Sequence, residues 1–380
     1  MSFEFDNIID RTQTSSTKWN KYDNPDIIPM WVADMDFETA PCIKSALAKR
    51  VEHGIFGYTQ PPKQLPNTVA KYLLRDHQWN IDPDWIVWLP SLVVGLNVVS
   101  RAFAAKGESI LTSTPIYPPF LSAPKDGSRL IVTAPLVWHE NRWVMDFDEL
   151  KNALTKNTKA FLFCSPHNPT GRVWDTQELQ ELVNFCHAHN LVLIADEIHA
   201  GLVLDEDKHH TAAATIDGAE DITVTLQSAS KTFNIPGLGC AYAVVKNNQL
   251  RSKLRNIMTG IVHHVGALGY TATLAAYESG KPWQEALIRY LRKNREDVKK
   301  YLSPHSCITL FHSEASYLAW IDAREMRVDN PSHYFQKFKV GLYDGTPFEA
   351  PGFLRLNFAC PNSVLQDALS RIIDGIEDLY

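Results

Sequence analysis

The chain has no Cys-x-x-Cys pair. Its six cysteines, Cys42, Cys164, Cys186, Cys240, Cys307 and Cys360, are scattered, which excludes a zinc ribbon and a disulfide framework and predicts reduced thiols. No apolar run approaches the roughly eighteen residues of a membrane span. The N-terminus, acidic through Glu4 and Asp6 and followed by Asp10-Arg11, lacks the basic start and apolar stretch of a signal peptide, so the expected location is the cytoplasm. Like charges are not gathered either: 37 basic against 43 acidic residues give a net charge of −6 without any long single-sign block, which argues against an electrostatic nucleic-acid binder. Among the 14 histidines there is no His-Glu-x-x-His, and the pairs His209-His210 and His263-His264 have no evident third ligand, so no metal is expected.

What is present is ordinary for a large folded enzyme-sized body. The 380 residues, 45% hydrophobic and 21% charged, suffice for one large α/β unit and a smaller companion. Short apolar runs alternate with longer amphipathic ones: residues 86–89, then 92–106, 109–111, 130–132, 160–163, 176–189, 191–195 and 222–226. That rhythm predicts βαβ units and a mostly parallel buried sheet. Asp175 and Glu178 supply a capping box at the start of the 176–189 segment. The last third differs, with two charged amphipathic segments, 282–302 and 364–379, flanking strand-like pieces such as residues 317–321; it reads as an α+β lobe joined by the N-terminal segment.

In open parallel sheets ligands bind outside the carboxyl ends of the strands. Four apolar runs end there in polar groups: Ser91, Asn168, Asp196 and Lys231. Lys231, in Ser228-Ala229-Ser230-Lys231-Thr232, is a candidate for imine chemistry, because burial lowers an amine's pKa and supplies the neutral form; the alternative is a solvated loop lysine. Asp196 follows five apolar residues, so its carboxylate needs a cationic or donor partner, or else serves as a cap or structural ion pair. Pyridoxal phosphate would explain both, since its aldehyde takes a lysine and its ring nitrogen a carboxylate. Asn168 sits in a turn set by two prolines and Gly171, a pattern that is commonly structural. Ser91, Leu92 and Val93 open a helix whose free amides suit a phosphate, as do those of many helices. Tyr117 is either a stacking partner for a planar ring or a core aromatic. Arg355 interrupts an apolar strand and demands a carboxylate or phosphate, from a ligand or from a structural salt bridge.

Taken in order along the chain, Ser165-Pro166-His167-Asn168-Pro169-Thr170-Gly171, Ala195-Asp196-Glu197-Ile198-His199 and Ser228-Ala229-Ser230-Lys231-Thr232-Phe233-Asn234-Ile235-Pro236 resemble the class-I/II aminotransferase-like pyridoxal phosphate enzymes. Within these the chain resembles the MalY/PatB branch of cystathionine β-lyases. Trp31-Val32-Ala33-Asp34-Met35-Asp36-Phe37, His53-Gly54-Ile55-Phe56-Gly57-Tyr58 and Arg355-Leu356-Asn357 add to the likeness.

The resemblance implies an α/β protein of fold type I. Its large domain, residues 45–275, would surround a mainly parallel seven-stranded sheet, with a smaller α+β domain from residues 1–44 and 276–380. It implies pyridoxal 5′-phosphate bound covalently to Lys231, with Asp196 at the ring nitrogen, Asn168 at the ring oxygen, His199 beside the ring and Tyr117 stacked on it. The phosphate would take Ser91, Leu92, Val93, Ser228 and Ser230, together with Tyr58 of a neighbouring subunit, so that a homodimer completes each site. The substrate, a small amino acid, would meet Ala33, Asn168 and Arg355. Mainstream aminotransferases of this fold carry an arginine eight residues after the lysine and a tyrosine three after the aspartate; this chain has Gly239 and His199, which fits the lyase branch.

The expected activity is cleavage of the carbon–sulfur bond of cystathionine or other L-cysteine S-conjugates. An amino-acid aminotransferase is the main alternative. A nicotinamide-dependent oxidoreductase is disfavoured because no Gly-x-Gly-x-x-Gly follows a strand, and a non-catalytic cofactor-dependent regulator because Lys231, Asp196 and Arg355 are all present.

Overall fold

The computed structural model describes residues 3–380; Met1 and Ser2, the first two residues of the N-terminal stretch considered above, lie outside it. Eight strands form the large sheet: β1 (Ile86–Leu89), β2 (Ser109–Thr114), β3 (Leu130–His139), β4 (Arg142–Met145), β5 (Thr158–Cys164), β6 (Val192–Asp196), β7 (Thr223–Gln227) and β8 (Ala241–Val244), in the order β1-β8-β7-β6-β5-β2-β3-β4. The pairs β7-β6, β6-β5, β5-β2 and β2-β3 are parallel. Seven strands match the expected count, and β4 adds an eighth because β3 turns back on itself. Glu140 and Asn141 both adopt left-handed backbone, at φ 47° and 61°, which is the geometry of a tight hairpin whose twist matches its strands.

Two strands of this sheet, β4 and β8, escaped the sequence pattern. β8 lies antiparallel between β1 and β7, so the first strand of the expected set is not a direct neighbour of the others. Its four residues, Ala-Tyr-Ala-Val, are too short and too weakly patterned to stand out.

The central strands are buried on both faces, which is why they read as unbroken apolar runs rather than alternating ones. Leu111, Phe161, Phe163 and Leu193 pack with Leu179, Leu182 and Val183 of α2 (Thr176–Ala188). Ile110, Leu162, Ile194 and Val224 face the other side, against Leu92, Leu96 and Val99 of α1 (Leu92–Phe103). Gly95 lets α1 sit this close: a Cβ there would meet Leu89 at 3.3 Å and Leu226 at 3.5 Å. The helix stops three residues earlier than its apolar pattern suggests, because Ala104 is already extended. α2 carries the full reciprocal capping box between Asp175 and Glu178.

The C-terminal region builds a four-stranded antiparallel sheet from β9 (Thr309–Phe311), β10 (Leu318–Asp322), β11 (Tyr343–Asp344) and β12 (Phe353–Asn357), ordered β9-β10-β12-β11. Two long helices accompany it, Lys281–Leu302 and Asn362–Glu377. The N-terminal segment joins this region: Ile28–Pro29 pairs in parallel with Val340–Gly341, and Phe5 packs on Phe37, Trp283 and Tyr290. Among the described residues no helix is long and apolar enough to cross a membrane.

Candidate active site

The carboxyl ends of β5, β6 and β7 open into a cavity of about 280 Å³. Twelve of the thirteen residues singled out in the sequence line it: Ala33, Ser91, Leu92, Val93, Tyr117, Asn168, Asp196, His199, Ser228, Ser230, Lys231 and Arg355. The thirteenth, Tyr58, does not; it is fully exposed and lines a separate surface hollow with His263 and His264.

Lys231 follows β7 on a one-turn helix, Ser230–Phe233. Its Nζ donates to the carbonyl of Ala33 at 2.6 Å, an oxygen that also accepts from the Tyr317 hydroxyl at 3.2 Å. Burial brings the amine down to about 8, although Asp34 and Asp196 pull the other way. The loop carrying Ala33 is fixed from both sides. Asn234 Nδ2 donates to the carbonyls of Met35 and Phe37 while its Oδ1 accepts from the Met35 amide, and Asn357 Nδ2 donates to the carbonyls of Val32 and Asp34. The amine is therefore aimed by backbone that cannot drift. Covalent capture of pyridoxal phosphate by the apo chain is expected to rise with pH about a midpoint near 8, because only the neutral amine attacks an aldehyde. Absorbance and borohydride fixation across pH 6–10 would read it; a midpoint above about 10, that of a free lysine, would refute the assigned environment.

Asp196 ends β6 with 5% of its surface exposed. Its carboxylate accepts one protein hydrogen bond, from the Ile198 amide at 3.1 Å, and burial lifts it to about 7. No cap or ion pair accounts for it among the described residues: the Ile198 bond lies two residues on in a loop, and no salt bridge reaches it. The carboxylate is short of a cationic donor.

Arg355, 1% exposed on β12, has no carboxylate within ion-pair range among the described residues. Its Nη1 donates to Asn168 Oδ1 at 2.9 Å and its Nη2 to the Trp31 carbonyl at 3.0 Å, while Nε is without a partner. The rings of Tyr343 and Phe348 lie 4.9 Å from the guanidinium carbon. Burial lowers its pKa to about 10. Among the described residues the structural salt bridge allowed by the sequence is absent, so no carboxylate of the chain competes with an anionic ligand for the guanidinium.

The phosphate side is equally preformed. Ser91 caps α1 by accepting from the Val94 amide at 3.2 Å, and the helix start at Leu92 and Val93 opens onto the cavity. Opposite stand Ser228 and Ser230, with hydroxyls 2.9 Å apart and that of Ser228 2.7 Å from the Cys240 carbonyl. A helix terminus of twelve residues plus two hydroxyls suits a phosphate dianion. Tyr117 is half-buried, with its amide donating to the Asn168 carbonyl at 3.1 Å. His199 is buried, held neutral by burial at a pKa of about 3, and its Nδ1 has no partner among the described residues.

These donors fit pyridoxal phosphate: an aimed amine for its aldehyde, a buried carboxylate in need of a donor for its ring nitrogen, and an amide-hydroxyl cradle for its phosphate. Gly239 adopts φ +59°, where a Cβ would meet the Pro90 carbonyl at 3.1 Å. The backbone thus disfavours any side chain at this position, arginine included. Among the walls of the cavity that the pattern did not single out are two large aromatics, Trp31 and Tyr343. Tyr343 lies in a short edge strand without periodicity, and only its contact with Arg355 marks it.

Fold and site define a pyridoxal phosphate enzyme of fold type I. The model of the family Aminotransferase class I and II matches residues 25–372. Cystathionine beta-lyase PatB of Bacillus subtilis is 35% identical over 97% of this chain and 98% of its own length. Among solved structures, OvoB superposes with a TM-score of 0.96 at 39% identity, covering 98% of this chain and 99% of that one. The pyridoxal-phosphate-bound C-S lyase of Staphylococcus hominis gives 0.92 at 30% identity, covering 99% and 98%. The chain belongs to the class-I/II aminotransferase family, in its PatB/MalY-like branch.

Proposed function

We propose that this protein is a pyridoxal-phosphate-dependent carbon–sulfur β-lyase, converting an L-cysteine S-conjugate such as cystathionine, with water, into a thiol, pyruvate and ammonia. One observation carries the reading: Lys231, Asp196 and a guanidinium without a carboxylate partner converge on one cavity, in a chain whose relatives are named for this chemistry.

The cofactor supplies an aldehyde that holds amino groups and a ring that accepts the electron pair left when the Cα proton departs. Lys231 would hold that aldehyde and would serve as the base that takes the Cα proton; an amine poised near 8 suits both tasks. Asp196 keeps the ring nitrogen protonated. Arg355 clamps the α-carboxylate through its fork, and Asn168, already bonded to Arg355, orients both partners. Tyr117 would pack on the cofactor ring, and Ser91, Leu92, Val93, Ser228 and Ser230 would hold its phosphate. With sulfur on Cβ, the C–S bond breaks and the thiol leaves.

A homodimer is part of this reading. Ile55, Phe56, Tyr58 and Ile261 are large apolar or aromatic side chains left exposed, and a second copy would cover them and bring Tyr58 to the neighbouring phosphate. Purified holoenzyme incubated with cystathionine and no keto acid should release thiol and pyruvate in equal amounts. Amino transfer that depends on a keto acid, without thiol release, would favour the aminotransferase instead.

A further inference from the structure

Lys21 does not line the cavity, but it packs on two residues that do. Its Nζ lies 3.9 Å from the centroid of the Trp31 ring and 5.4 Å from that of Tyr343, two residues that line the cavity. The placement is built. Lys21 ends a short 3-10 turn, Trp19–Lys21, pinned where Trp19 Nε1 donates to Asp36 Oδ1 at 2.9 Å. Lys18, just before the turn, is fully buried and donates to Asp36 Oδ2 at 2.7 Å. The Trp31 indole in turn donates to the Lys18 carbonyl at 3.1 Å, so the ring and the turn that carries the ammonium move as one piece.

The ammonium's three donors are unspent among the described residues. Asp344 is the carboxylate whose charge Lys21 feels, but it is out of ion-pair range. Its Oδ1 instead accepts from the Thr346 amide and hydroxyl, at 3.0 and 2.9 Å. Tyr343 links this ammonium to the inner cation. Arg355 lies 4.9 Å from the same ring that Lys21 approaches at 5.4 Å. The two cations are thus within about 10 Å of each other, a gap that an amino acid with a second carboxylate a few carbons beyond sulfur can bridge at roughly 1.5 Å per bond.

We propose that Lys21 is a specificity-determining residue: it binds a carboxylate on the departing thiol while Arg355 binds the α-carboxylate, so the enzyme prefers cysteine conjugates whose S-substituent is anionic. The inference rests on the lyase reading above. Stacking on Trp31 and Tyr343 restricts the ammonium beside the cavity wall, where its charge attracts an anionic tail and disfavours a cationic one.

The test compares S-(2-carboxyethyl)-L-cysteine with its neutral near-isostere S-(2-carbamoylethyl)-L-cysteine on the holoenzyme, following thiol and pyruvate. Lys21→Met should lower the acid-over-amide ratio of kcat/KM by about 3- to 10-fold, between the values for an exposed ion pair and a charge-assisted hydrogen bond, with the change carried by KM. Lys21→Arg should restore most of the ratio, which a merely structural role would not do. An unchanged ratio in Lys21→Met, or a Lys21→Arg enzyme no more selective than Lys21→Met, overturns the assignment while leaving the lyase reading intact. Wild-type enzyme that cleaves cystathionine but neither conjugate overturns this inference alone, and failure on all three overturns the lyase reading with it.

Discussion

Lys231→Ala is expected to abolish thiol release from every cysteine conjugate and to leave nothing that borohydride can fix to the chain. Two roles vanish together. The side chain is the aimed amine of the cavity, held 2.6 Å from the Ala33 carbonyl, and it is also the base, whose loss alone costs roughly 10²- to 10⁴-fold. Because Asp196, Ser228, Ser230 and the start of α1 remain, the variant should still bind pyridoxal phosphate, but reversibly. Dialysis would then remove the cofactor from Lys231→Ala and not from wild type. Full activity in this variant, or borohydride-stable cofactor in it, would contradict the assignment of the site. Because the substitution leaves the buried Thr232 and Phe233 of the same one-turn helix in place, unfolding is not the expected cause of the loss, and a thermal melt alongside the assay checks this.

Asp196→Asn separates holding the cofactor from making it react. The amide keeps the size and the bond from Ile198 but cannot hold a proton on the ring nitrogen, so activity should fall roughly 10²- to 10³-fold, the range for removing one preorganised electrostatic partner of the developing charge. Borohydride should still trap the cofactor on Lys231. The same substitution has a stability signature in the apo chain. Burial raises the Asp196 carboxyl from 3.8 to about 7, so between about pH 4 and 7 the folded chain binds a proton that the unfolded chain has released. Stability contributed at this site is therefore lost as pH rises through that window. Asp196→Asn should remove that loss, making the apo variant more stable than apo wild type above about pH 7 while the two converge near pH 4. Apo melting temperatures that run parallel across this range would show that the carboxylate is not strained by burial.

Much of the site was legible because chemistry-bearing residues in an open α/β sheet follow buried strands, and buried strands announce themselves. Asp196 is conspicuous after Leu191 to Ala195 since a carboxylate there has no inexpensive place to go. Arg355 is conspicuous for the same reason inside Phe353–Asn357. The identity of their partners was not legible. Nothing local distinguishes a guanidinium paired with a carboxylate from one bonded to Asn168, 187 residues away. β8 was missed because four residues carry too little pattern, and it lies between the strand before Ser91 and the strand before Lys231. Tyr343 and Lys21 were missed because each matters through a neighbour brought in from a distant part of the chain.

The linear order of residues determined the class of chemistry: an amine, an acid and a guanidinium, each set where solvation would be lost, and a glycine where related enzymes place an arginine. Only the tertiary structure decided that these groups share one cavity, that the amine is aimed by the Ala33 carbonyl, and that a second cation, Lys21, stacks on Trp31 and Tyr343 of its wall. The physical reason is that burial cost is written residue by residue, whereas the partner that offsets it is chosen by how strands and loops far apart in the chain pack together.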